Sequence, residues 1–171
     1  LTALRTERKR TILREQLRPV TEIGPVVSEP VPAYQFFSPD QIPEELPGRG
    51  VRIYLSAEEI TGNPEQISAL SARGFGIAAV FPRFVSEGGE KRRFRRMVQQ
   101  LRDMGIDQAL CGTIGSVREA REAGFDVFGD FSLGVMNSRT VARLKEMGLS
   151  GVTVSPELSF PQIRDMTLTL P

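Results

Sequence analysis

The chain has 171 residues, 40% of them hydrophobic and 25% charged, with a formal net charge of +1; that supplies a core and no global attraction to a polyanion. It contains no histidine and one cysteine, Cys111, which excludes Ser-His-Asp and Cys-His catalysis, His-ligated zinc, an internal disulfide and an iron–sulfur cluster held by this chain alone. No apolar run reaches the length of a membrane span, and the opening residues are too charged for a secretory signal, so a reducing, cytoplasmic setting without a membrane partner is expected.

In chain order, residues 1–18 read as a charged lead-in helix, with Arg5, Arg8, Lys9, Arg10 and Arg14 set against Glu7 and Glu15. Residues 19–32 are Pro-rich and read as an extended linker. A strand is expected over 33–37, a short helix after Pro39, and a second strand over 51–55. Four stretches then share one pattern, at 67–82, 98–113, 117–130 and 141–155. Each is the end of an amphipathic helix, a Gly, one apolar residue and a short apolar strand. Gly74, Gly105, Gly124 and Gly148 stand where a helix ends in a left-handed residue, and Phe75, Ile106, Phe125 and Leu149 can fold back on the helix they follow.

The helical spacing is consistent. Phe94, Met97, Val98, Leu101 and Met104 share a face, as do Val141, Leu144 and Met147. Asn63-Pro64 and Asn137-Ser138 read as helix starts. Residues 167–171 read as the start of another strand.

Strands alternating with helices imply parallel pairing through right-handed crossovers. A doubly wound sheet would carry a Gly-rich phosphate loop after an early strand, and none is present. The expectation is therefore an α/β fold, a partial (β/α) TIM-like barrel of five to six parallel strand–helix units over residues 33–171. A whole barrel takes about 250 residues, so this chain is expected to be a piece of a larger enzyme. An incomplete barrel also leaves sheet edges open, from which self-association is expected.

In parallel α/β folds function collects where strands end and helices begin. The strand exits carry Glu58, Glu59, Arg83, Cys111, Thr113, Asp130, Ser132, Asn137, Ser155 and Glu157. Asp130 and Glu157 are candidate catalytic carboxylates on neighbouring exits, able to share a proton or orient a substrate. Arg83, Thr113, Ser132, Asn137 and Ser155 are candidate substrate-binding residues. The competing reading makes Asp130 and Ser132 loop caps and Asn137 a helix cap. Cys111 ends an apolar strand and reads as core rather than nucleophile.

A basic run, Lys91, Arg92, Arg93, Arg95 and Arg96, falls in the first half of a helix, where the helix dipole disfavours cations. That end of the helix belongs to the functional rim, so Lys91, Arg92, Arg95 and Arg96 are candidate contacts to RNA phosphates. The alternative is a solvated face neutralised by Glu87 and Glu90.

The run GDFSLGVMNS (129–138) followed by SPEL (155–158) resembles the collagenase-like peptidases of family U-32, as do FPR (81–83), GTIG (112–115) and the charged opening of the chain. The resemblance implies a TIM-like barrel with Asp130, Ser132, Asn137, Ser155 and Glu157 as rim motif positions, and places the chain in the second half of a longer member. It implies an enzyme that hydroxylates RNA bases or quinone precursors, or else a collagenase-like peptidase. It also implies an iron–sulfur cluster held by cysteines elsewhere in the full-length parent, no cofactor within this chain, and RNA as a partner through the parent. A non-catalytic structural or assembly module is the remaining expectation.

Overall fold

The computed structural model describes residues 30–84 and 89–167. The lead-in helix, nearly all of the linker, Glu87 and the strand expected at the C-terminal end, save for Thr167, lie outside those residues. Six strands form one sheet in chain order: β1 (Ala33–Gln35), β2 (Arg52–Ser56), β3 (Gly76–Val80), β4 (Gln108–Cys111), β5 (Asp126–Gly129) and β6 (Gly151–Val152). Every pairing is parallel. Helices α1 (Ala57–Gly62) and α2 (Pro64–Ala72) join β2 to β3, α3 (Gly89–Asp103) follows β3, α4 (Ile114–Glu122) follows β4, α5 (Ser138–Glu146) follows β5, and α6 (Phe160–Thr167) closes the described chain.

The four glycine-punctuated turns are one device used four times. Gly74, Gly105, Gly124 and Gly148 take φ of 94°, 76°, 82° and 84°. After each, the apolar residue donates its N–H back into the helix, Phe75 to Leu70, Ile106 to Leu101, Phe125 to Ala120 and Leu149 to Leu144. These are Schellman closures, which satisfy helix carbonyls and seat the apolar residue under the helix. All four of those residues are buried.

Strand alternation assigns the two faces of the sheet. Ile53, Leu55, Ile77, Ala79, Ala109, Cys111 and Val127 turn to the helices and are buried. Phe81 continues that face and meets Phe94 and Phe125 edge-on, with ring centroids 5.3 and 5.2 Å away. Phe94, Met97 and Leu101 form the buried stripe of α3, as their spacing predicts.

The opposite face is concave. In a flat sheet β2 and β5 would lie about 14 Å apart, at roughly 4.8 Å per strand. Here the guanidinium carbon of Arg52 on β2 sits 4.3 Å from the ring centroid of Phe128 on β5. That contact spans β3 and β4 on the face that Gly76 and Ala78 share by register. The sheet is thus curled into a half-barrel, the partial (β/α) barrel read from the sequence.

Three elements are shorter than expected. β1 stops at Gln35 because the Phe37 N–H is taken by the Gln41 side chain and Ser38 caps a 3-10 turn, Pro39–Gln41, in place of an α-helix. β6 leaves β5 after Val152. The next bridge is from Val154 to Val135, because a 3-10 turn, Phe131–Leu133, ends β5 early. No helix among the described residues is long and apolar enough to cross a membrane.

Candidate functional site

The C-terminal ends of β3, β4 and β5 form one rim. The Phe81 N–H donates to Leu110 C=O and the Asp130 N–H donates to Cys111 C=O, so the three exits stay in register one residue beyond the strands. Four of the residues singled out from the sequence meet there: Arg83, Thr113, Asp130 and Ser132.

Asp130 is the hub. The Ser132 hydroxyl lies 3.1 Å from Asp130 Oδ2 and 3.0 Å from the Gly112 carbonyl oxygen, two acceptors for its single proton. Arg83 Nη2 approaches the same Oδ2 at 3.6 Å. The carboxylate is 14% exposed and the arginine side chain 53% exposed. The charge of Asp130 is therefore spent on orienting Arg83 and Ser132, while the guanidinium keeps donors open to solvent. The Arg83 guanidinium also lies over the Phe131 ring, 5.6 Å from its centroid.

Gly112 makes this convergence sterically feasible. A Cβ at Gly112 would stand 2.4 Å from Ser132 Oγ and 3.5 Å from both Arg83 Nε and Asp130 Oδ2. Only the absence of a side chain lets the β4 backbone serve as the floor of the cluster. In the sequence Gly112 belongs to the GTIG motif, which carries no sign of this role.

Thr113 works locally. Its hydroxyl accepts from the Ser116 N–H at 3.2 Å, and the Ser116 hydroxyl accepts from the Thr113 N–H at 3.2 Å, a reciprocal box that starts α4. Thr113 Oγ1 also lies 3.3 Å from the Arg83 carbonyl, tying the β3 exit to α4. A cleft of about 350 Å³ opens beside it, lined by Pro82, Arg83, Phe84, Thr113, Gly115, Ser116 and Glu119. That volume is within the range of small-ligand clefts, about 300–1,000 Å³.

The other candidates stand apart. Asn137 is exposed, and its side-chain oxygen accepts from the Thr140 N–H at 2.9 Å and the Thr140 hydroxyl at 3.1 Å, the N-cap of α5. Ser155 is buried and its hydroxyl accepts from the Glu157 N–H at 3.4 Å. Glu157 is exposed, and its carboxylate makes no hydrogen bond or ion pair with a described residue. No contact links the carboxylates of Asp130 and Glu157. Cys111 is fully buried, and burial pushes its thiol up to about 12, partly opposed by a hydrogen bond with Ser116. It is core, with no thiolate at neutral pH.

The basic run lies on α3, the helix that follows the β3 exit. Its residues divide among three directions. Arg93 lines a small cleft with Glu58 and Glu90, facing α1. Lys91 and Arg95 line a groove of about 280 Å³ opposite Glu119 and Glu122 of α4. Arg92 and Arg96 line none of these clefts and are exposed, one helical turn apart. None of these five cations closes an ion pair with a described residue.

No set of three or more His, Cys, Asp or Glu among the described residues is arranged to hold a metal ion. No protein-family model, curated protein or solved structure matches the chain.

Proposed function

We propose that this half-barrel is the RNA-binding rim of a base-modifying enzyme of the U-32 type, supplying substrate contacts rather than the redox centre. The observation that carries the reading is the convergence of Arg83, Asp130 and Ser132 over Gly112, on the same rim from which the cationic helix α3 departs. Arg83 presents a fork of donors suited to a phosphate or a base edge, and Asp130 fixes its direction. Cations in the opening turns of a helix oppose its dipole. A phosphate backbone crossing the rim turns that arrangement into a favourable one.

An iron–sulfur cluster does not fit the residues here, since the one thiol is buried and held protonated. On this reading the cluster belongs to cysteines of the parent outside this chain, and this half contributes no oxidation step. A peptidase reading through Asp130 and Glu157 draws no support from the contacts of either carboxylate.

The test is binding of the full-length protein to fluorescently labelled single-stranded RNA as a function of salt. Replacing Lys91, Arg92, Arg95 and Arg96 together by Ala is expected to weaken binding and lower the slope of log affinity against log salt by roughly 3, at about 0.7 per phosphate contact. Arg92 and Arg96 account for more of it than Lys91 and Arg95, which face Glu119 and Glu122. Unchanged affinity and slope in the fourfold variant contradict the reading.

A further inference from the structure

Among the described residues, the exposed large hydrophobic side chains are not scattered. They are Val31, Tyr34, Phe37, Phe84, Ile114, Phe131, Met136 and Phe160. Val31 and Tyr34 belong to the edge strand β1 and its approach. Every other one lies in a segment that leaves the C-terminal end of a strand. The opposite end of the half-barrel, where the four glycine turns lie, shows none among the described residues. Isolated exposed apolar residues need no explanation, but the gathering of six of the eight at one rim does.

Two of these rings lie at the candidate site. Phe84 follows Arg83 directly in the chain, is 87% exposed, and lines the cleft beside Thr113. Phe131 is 47% exposed and lies against the Arg83 guanidinium. Aromatic rings beside a guanidinium, next to a helix bearing five cations that close no ion pair with a described residue, have the composition of a surface for unpaired nucleotides. Rings take base faces, and cations take the phosphates between them. A duplex hides its base faces and could use only the cations.

We infer that Phe84 and Phe131 are a stacking platform for the unpaired bases of single-stranded nucleic acid, with Arg83 beside them contacting the backbone. The inference rests on the RNA-binding reading above and goes further by naming the form of nucleic acid and the residues that select it. The Glu119 carboxylate, which lines the same cleft, is an acceptor for an exocyclic amino group of a stacked base.

The experiment titrates the full-length protein with a labelled single-stranded oligouridylate and with a blunt RNA duplex of equal length. Phe84→Ala and Phe131→Ala are each expected to weaken single-strand binding about tenfold, while duplex binding and the salt slope stay unchanged. Phe84→Tyr and Phe131→Tyr retain binding, whereas Phe84→Leu and Phe131→Leu do not, because a Leu keeps the apolar area without a ring face. Both rings are solvent-facing, so thermal melts of the variants are expected to match the wild type. Wild-type binding that survives both Ala substitutions, or is kept by the Leu variants, overturns the platform and leaves the RNA-binding reading standing. Failure of the wild type to bind either RNA overturns both. Loss of a dimer in light scattering on Phe84→Ala or Phe131→Ala, with RNA binding intact, overturns the platform in favour of a second copy on the rim.

Discussion

At Gly112 a single hydrogen atom in place of a methyl group decides whether the rim cluster forms. Gly112→Ala drives a Cβ into Ser132 Oγ, so the serine must leave Asp130 or the strands must part. A cost of about 1–3 kcal/mol is expected for this overpacking. The clash is with a hydroxyl oxygen, so Ser132→Ala should relieve it. In a double-mutant cycle read by urea denaturation, Gly112→Ala is expected to cost at least about 1 kcal/mol less on the Ser132→Ala background. Simple additivity of the two changes would mean that the backbone floor and the serine are not in contact.

Residue by residue, the sequence told more about local roles than about meetings. Asp130, Ser132, Thr113 and Arg83 stand out as strand-exit residues because the repeat marks where each strand stops. Their convergence depends on the register of three strands, which no local pattern contains. Gly112 stands in the GTIG motif, and nothing local marks it as the floor of the cluster. Phe84 and Phe131 carry no local mark of their exposure, which depends on what packs above them. Asn137 and Ser155 show the reverse case, since polar residues at a rim also serve their own helices and turns, and their bonds are local.

Among the elements, the helix starts on the rim are set by side-chain caps. The oxygen of Asn137 holds the opening of α5 through Thr140. Asn137→Ala is expected to lower stability by about 1 kcal/mol, and Asn137→Ser to restore most of it, as chemical denaturation would show. An alanine variant as stable as the wild type would show that the cap contributes nothing, and would reopen a ligand-facing role for this amide. The helices and the glycine turns were legible because their signals are local: a 3.6-residue period, a left-handed Gly, an apolar residue folding back. β1 and β6 were overread because their ends are decided by distant partners. Gln41 takes the Phe37 N–H, and the turn at Phe131–Leu133 diverts the chain that β6 would have followed.

For the molecule as a whole, the sheet has two margins, β1 and β6, that pair with no further strand among the described residues. On β1 the bonds from the Arg52 N–H to Pro32 C=O and from the Phe36 N–H to Tyr54 C=O fix the alternation, leaving Ala33 and Gln35 to turn their backbone groups outward. With Val31 and Tyr34 exposed beside them, this margin is suited to pairing with another chain. Concentration-dependent self-association is expected for the 171-residue chain in light scattering. Gln35→Pro should abolish it, because it removes an outward donor without touching the β1–β2 bonds. A chain that stays monomeric at high concentration, or a proline variant that associates as before, would show that the margin is closed in some other way.

RNA is expected to meet the half-barrel at one end only, the end where the strands exit. Photo-crosslinking of 4-thiouridine-substituted single-stranded RNA to the full-length protein, with the cross-linked peptides mapped by mass spectrometry, tests this most directly. Cross-links are expected on the segments carrying Arg83 and Phe84, the opening turns of α3 and the turn at Phe131. Cross-links confined to the turns at Gly74, Gly105, Gly124 and Gly148, at the other end of the strands, would contradict it.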